Sequence, residues 1–168
     1  MSAPVRSIEA ILRERARILA IPAAEDENAD TEELATFGVG GHVLGVPMER
    51  VTRAATLRHL SEIPGGPPYL VGMTAIDGHL VSLLDLVQFL GLSRRGIGDI
   101  TASLVIASGP REIGLAAEEI LGIEDVPKRS IAALPGGTGP LLRVARLPQR
   151  EVLLLDVDLL FADPRLGR

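Results

Sequence analysis

The sequence predicts a mainly β protein: two five-stranded β-barrels in tandem, preceded by an amphipathic helix. Three observations lead there. Eighteen Gly and twelve Pro interrupt the 168-residue chain, a density that favours many short strands over long helices. The stretch Tyr69 to Leu86, YLVGMTAIDGHLVSLLDL, holds two apolar runs around Asp77-Gly78, the dipeptide that a two-residue hairpin asks for because Gly accepts positive φ. The pattern then returns. At an offset of about 70 residues, Gly40 matches Gly109, Leu44 matches Ile113, Gly45 matches Gly114, Val46 matches Leu115, Glu49 matches Glu118 and Val51 matches Ile120, while Leu84-Asp85-Leu86 matches Leu155-Asp156-Val157. An antiparallel sheet of five short strands hides its edges by closing, so each repeat predicts one small barrel.

The elements follow in order. Ser7 to Ala20 places Ile8, Ile11, Leu12, Ile18 and Leu19 on one side at helical spacing, with Ser7 as N-cap and Glu9–Arg13 as an i,i+4 pair. This helix either packs on its own domain or engages a partner. Pro22 to Glu33 is acidic and poor in large apolar residues, the composition of a solvated linker. Residues 1–33 are thus helix and linker, and the globular domain is expected over 34–163. Its first barrel covers about 34–92 and its second about 100–156, with a helical turn at about 157–161. Within the first barrel the strands fall around Gly40-Gly41, at Val51 to Leu57, and on both sides of Asp77-Gly78. Asp85 is placed to cap a short helical turn ended by Gly91. Residues Ser93 to Ile100 form a polar linker. Later strands are predicted at Thr101 to Ala107, Glu112 to Ala117, Ile120 to Val126, Leu141 to Leu147 and Glu151 to Leu155, with LPGGTGP (Leu134 to Pro140) as a loop.

Composition narrows the class. The chain is 46% hydrophobic but only 2% aromatic, so its core must be built from Leu, Ile, Val and Ala. No Cys is present, which excludes a disulfide framework and thiolate metal sites. A net charge of −5 argues against a nucleic-acid footprint. No apolar run approaches the roughly 20 residues of a membrane span, and the amino terminus lacks a signal-peptide core. A soluble cytoplasmic protein is expected.

The search for chemistry returns no constellation. His42, His59 and His79 are isolated from one another and from carboxylates at metal-ligand spacing. GGTGP lacks the Lys-Ser/Thr ending of a phosphate loop. No serine lies in a G-x-S-x-G context. Asp85 and Asp156 fall at equivalent places in the two repeats, where helix capping accounts for both. No catalytic residue, metal ligand or cofactor site is assigned.

What remains is a protein that acts through its surfaces. From Leu34 to Phe161 the sequence resembles the CheW-like coupling proteins of bacterial chemotaxis. The features come in the family's order: a strand, a Gly turn and a strand leading to Val51; Pro67 and Tyr69 before Val71-Gly72-Met73; Gly78; Leu84-Asp85-Leu86; Ile113-Gly114-Leu115; Glu118 where Asp is usual; Ile120; then Leu153-Leu154-Leu155-Asp156-Val157 before Leu159-Leu160. The resemblance implies two SH3-like barrels with a groove between them, and no catalysis. It also implies two partners: the regulatory domain of a CheA-type histidine kinase, built on the same fold, and the cytoplasmic tip of a chemoreceptor. The protein would then sit with receptor arrays at the inner membrane, without inserting into it.

By the same resemblance the receptor surface would hold Val51, Arg53, Gly72, Ala75, Ile76, Asp77 and Gly78. The family typically carries Val-x-Glu-Ile and Asn-x-Arg-Gly at these places, whereas this chain has Val51-Thr52-Arg53-Ala54 and Ala75-Ile76-Asp77-Gly78. Two expectations stand side by side. Either Arg53 and Asp77 face each other as an ion pair of inverted polarity, or Asp77 only makes the turn and Arg53 is solvated. A second functional reading, an adaptor or decoy that has lost one partner and uses Ser7 to Ala20 for another contact, follows from the same features.

Overall fold

The computed structural model describes residues 30–166; the expected helix Ser7 to Ala20 lies outside them. The first half of the domain comprises β1 (Thr31–Val39), β2 (His42–Pro47), a 3-10 turn at Met48–Arg50, β3 (Val51–Thr56), β4 (Leu70–Ile76), β5 (His79–Leu84) and the helical turn α1 (Leu86–Phe89). The second half comprises β6 (Ala102–Ser108), β7 (Arg111–Ala117), β8 (Glu119–Pro127), a 3-10 turn at Lys128–Ser130, β9 (Ile131–Thr138), β10 (Leu141–Arg146), β11 (Glu151–Leu155) and α2 (Val157–Ala162). A last 3-10 turn covers Pro164–Leu166.

The predicted turn chemistry is present. Asp77 (φ 50) and Gly78 (φ 79) both lie in the left-handed region, the geometry that matches a two-residue hairpin to the twist of its strands. Asp85 accepts from the Val87 and Gln88 amides, and Asp156 from the Leu159 amide. Each carboxylate caps a helical turn at the same place in its repeat.

The strands are not partitioned as two tandem barrels. The chain forms a six-stranded sheet, β8-β1-β2-β11-β10-β9, and a five-stranded sheet, β3-β6-β7-β5-β4. Each sheet draws strands from both halves, so a boundary between 92 and 100 does not separate them. Two parallel pairings make the exchange: Leu154 opposite Gly45, and Leu83 opposite Gly114. The matched glycines of the two repeats therefore each pair with the Leu-rich strand of the other repeat. Hydrogen-bond order leaves β8 and β9 at the ends of one sheet and β3 and β4 at the ends of the other, so the ladders by themselves do not close either sheet into a barrel. In the five-stranded sheet a short bridge partly joins the ends. The connection after β3 returns so that Ser61 and Met73 exchange two backbone hydrogen bonds, of 2.8 and 2.7 Å. Gly72 is needed beside this bridge, because a Cβ there would stand 2.5 Å from the Ser61 carbonyl oxygen.

Three further expectations are corrected. Thr31 to Glu33, read as linker, already belong to β1 and pair with Pro127 to Asp125 of β8. Backbone pairing overrides their acidic character, and Glu32 reaches Arg143 at 3.5 Å. LPGGTGP is not simply a loop, since β9 runs through Leu134-Pro135-Gly136-Gly137 to Thr138. Proline is tolerated there because β9 is an end strand. The register slips between Thr138–Leu141 and Ala133–Arg143, and Gly136 takes φ 71, as expected where extra residues bulge from a strand. Finally, the repeat fails around Glu49/Glu118 and Val51/Ile120. Glu49 lies in a 3-10 turn, whereas Glu118 sits at the corner between β7 and β8, and β8 has no counterpart in the first half.

The core has three parts. A central cluster joins the sheets, with Phe37 and Leu44 from one packed with Leu84, Leu104 and Leu115 from the other, and with Leu86, Phe89, Leu155 and Leu160. Each sheet also encloses a smaller cluster: Leu34, Val126, Ala145, Val152 and Leu154 in one, and Ile76, Val81 and Val105 in the other. The sheets thus share the central apolar cluster, and neither is an independent domain in the packing sense.

Candidate protein-docking site

The β4–β5 hairpin places the expected receptor-facing residues in two groups. Ala75, Asp77 and Gly78 are exposed at its tip, and Val51 and Arg53 are half-buried on β3. Gly72 and Ile76 are buried instead, Ile76 within the small cluster with Val81 and Val105. Those two lie beneath the exposed face of the hairpin. Leu80 stands directly opposite Ala75 and is 73% exposed, a feature that sequence reasoning missed. Apolar alternation marks it as a strand residue without saying which face water covers.

The expected Arg53–Asp77 ion pair is not formed. Arg53 Nη1 lies 3.6 Å from Glu112 Oε2 on β7, while Asp77 serves the turn. The second of the two expectations is met for Asp77, but Arg53 is held by a carboxylate rather than freely solvated. Nη1 is itself buried without a hydrogen bond, which favours retention of a nearby charge partner.

At the other end of β5 lies a cluster that sequence reasoning took for linker. Arg94 Nη2 donates to Asp85 Oδ2 at 2.6 Å, and Arg94 Nη1 lies 3.7 Å from Glu118 Oε1. Glu118 Oε1 also accepts from the Gly40 amide at 3.0 Å. The Arg95 amide donates to the Gly40 carbonyl at 2.7 Å, and His42 Nε2 is 2.7 Å from the Ser93 carbonyl. One guanidinium therefore ties the cap of α1 to the β7–β8 corner, where the chain passes from one sheet to the other. No local signal marks Arg94 for this role, because its partners come from distant positions.

A third cluster secures the carboxyl-terminal turn. Arg165 stacks 3.8 Å from the Phe89 ring centroid and donates to the Phe89 carbonyl at 2.8 Å. The Tyr69 hydroxyl donates to the Arg165 carbonyl at 3.1 Å, and Tyr69 meets Phe89 edge-on at 5.1 Å. Asp163 receives both Nε and Nη2 of Arg165. These hydrogen bonds hold the Asp163 carboxyl below its ordinary range and raise the Arg165 guanidinium above its own.

Among the described residues no group of three or more His, Cys, Asp or Glu is placed to hold a metal ion, and no helix is long and apolar enough to cross a membrane. The fold is a mainly β domain of two sheets packed on a shared core. A model of the CheW-like domain matches residues 33–165, and the chain belongs to that family. It is similar to Protein FrzA of Myxococcus xanthus, 32% identical over 63% of this chain and 66% of the relative. It is also similar to Chemotaxis protein CheW of Bacillus subtilis (strain 168), 26% identical over 63% of this chain and 68% of the relative. These matches thus span about two thirds of each relative's own length. The crystal structure of scaffolding protein TtCheW from Thermoanaerobacter tengcongensis superposes with a TM-score of 0.67 at 15% identity, covering 78% of this chain and 88% of that one, which shows the shared fold.

Proposed function

We propose that this chain is a non-enzymatic coupling protein that joins the cytoplasmic tip of a chemoreceptor to the regulatory domain of a CheA-type histidine kinase, at receptor arrays on the inner face of the membrane. The observation that carries the reading is family membership over nearly the whole described domain. The hairpin tip, with Ala75, Asp77, Gly78 and the exposed Leu80, agrees with a docking role. The receptor surface is Val51, Arg53, Ala75, Asp77 and Gly78, supported from below by Gly72 and Ile76. A helical receptor tip supplies apolar anchors to such a surface, and the Arg53–Glu112 pair contributes orientation more than affinity.

Calorimetric titration of the chain with the regulatory domain of a CheA-type kinase from its own genome, and separately with a receptor-tip fragment, tests the proposal. Binding to both, with the negative heat-capacity change of apolar burial, is expected. Truncation before Asp30, which spares β1, retains both partners. Loss of one partner on that truncation would favour the adaptor reading, and binding to neither would overturn the coupling role.

A further inference from the structure

Between α1 and β9 the surface opens into a cleft of about 560 Å3. Leu90, Leu92 and Leu134, all half-buried, line it together with the buried Phe89 and Leu141. A Cβ added to Gly91, Gly136 or Gly139 would meet nothing within 4 Å, so bare backbone edges the cleft and a second element can approach it closely. The charged groups at its rim are already engaged. Arg165 donates to Asp163 and to the Phe89 carbonyl, which leaves apolar contact as what the cleft offers.

The chain enters the domain beside this cleft. The Lys128 amide donates to the Asp30 carbonyl at 2.9 Å, and the Lys128 ammonium lies 3.1 Å from the Asp30 carboxylate. β9 starts at Ile131, directly after the turn that holds Asp30, and Leu134 follows about 10 Å along it at about 3.3 Å per residue. Residues 1–29 lie outside the described residues, and Ile21 to Ala29 separate the apolar stripe of Ser7 to Ala20 from Asp30. That linker spans up to about 30 Å when extended, so the stripe reaches the cleft with length to spare. Ile8, Ile11, Leu12, Ile18 and Leu19 need apolar cover once helical, and a tether this short holds them at an effective concentration on the order of millimolar. We infer that Ser7 to Ala20 folds back as a helix and lays its apolar stripe into the cleft of its own chain. This docking holds whether or not the chain couples a receptor to a kinase.

The chain has no Cys, so one introduced cysteine carries one probe. A nitroxide on Ala10→Cys, opposite the apolar stripe at helical spacing, tests the contact by NMR of the full chain. The label is expected to broaden the amide signals of Leu90, Leu92, Leu134 and Gly136 while those of Asp77 and Gly78 stay sharp. Adding I11D and L12D removes the broadening, and the amides of β6 and β7 keep their positions because neither substituted residue belongs to the described core. In the unlabelled chain the same two substitutions speed hydrogen exchange several-fold over 88–92 and 134–139 and leave β6 and β7 unchanged. Sharp cleft signals in the labelled chain would overturn the inference, as would equal broadening at Asp77 and Gly78. Broadening that appears only when labelled chain is mixed with isotope-enriched, unlabelled chain would place the stripe on a second copy and overturn docking within one chain.

Discussion

Gly114 of β7 lies against Leu83 of β5 so closely that a Cβ added to the glycine would stand 2.5 Å from Leu83 Cδ2 and 2.7 Å from Ser103 Oγ. This contact lies on one of the two parallel pairings by which the repeats exchange strands. The equivalent Gly45 has more room, its nearest neighbour being Val152 Cγ1 at 3.0 Å. Gly114→Ala is therefore expected to destabilise by about 1–3 kcal/mol through overpacking, and Gly45→Ala by less. Urea unfolding midpoints of the two variants measure the difference. Equal losses would mean that the β5–β7 approach is not the tighter one.

Arg94 gives a second prediction. Its removal leaves Asp85, with a side chain only 10% exposed, and Glu118 facing each other without a cation. Because Arg94 is itself 39% exposed, water screens part of the loss, and Arg94→Ala is expected to cost about 1–2 kcal/mol. Arg94→Lys recovers little, since an ammonium cannot span two carboxylates as a planar fork does. Hydrogen exchange distinguishes this from a general loss of stability. Amides over 92–101 should exchange faster in Arg94→Ala while those of β6 and β7 keep their protection.

The partner of Arg53 is testable by double-mutant cycles. Arg53→Glu combined with Glu112→Arg should show a coupling of about 0.5–1 kcal/mol in folding stability, as expected for residues in contact. Arg53→Glu combined with Asp77→Arg should be additive within error. The opposite pattern would restore the pairing that the sequence alone suggested.

Asp77 is the only non-glycine residue at positive φ among the described residues. Asp and Asn tolerate that region and β-branched residues do not. Asp77→Asn and Asp77→Gly are expected to be nearly neutral, whereas Asp77→Val costs about 1–2 kcal/mol of strain. Thermal melting of the three variants provides the check.

The Asp163–Arg165 contact makes a pH prediction. The folded-state carboxyl is held below the ordinary aspartate range, first by the side-chain hydrogen bond from Arg165. Its contribution is therefore fully present above the unfolded value and is lost as pH falls through the lower folded one. Stability curves of the unaltered chain and Asp163→Asn should differ above pH ~4 and converge in more acidic solution. The gap is small because Arg165 is half exposed and water screens the pair. A gap that widens toward low pH would refute the assignment.

Local chemistry alone determined a good deal of this protein. Asp77-Gly78 specified its hairpin because few dipeptides accept two successive positive φ values, and Asp85 and Asp156 declared themselves as caps by preceding short apolar turns. Alternating apolar runs located most strands to within a residue or two, and the repeat was legible because both halves need the same turns and caps. The family resemblance was readable too, since it rests on those same spaced residues.

Only the tertiary structure decided who pairs with whom. A strand's pattern states which side chains seek a core but not which edge completes its hydrogen bonds. The exchange of β5 and β11 between repeats was therefore invisible, and so was the end-strand position that lets β9 carry Pro135. The same limit hid the Arg53–Glu112 pair, and it hid Arg94, whose ligands Asp85 and Glu118 meet only where β5 and β7 run parallel. Periodicity and turn chemistry act within a few residues of one another. The pairings that shape this domain join residues tens of positions apart, and burial in a shared core selects them.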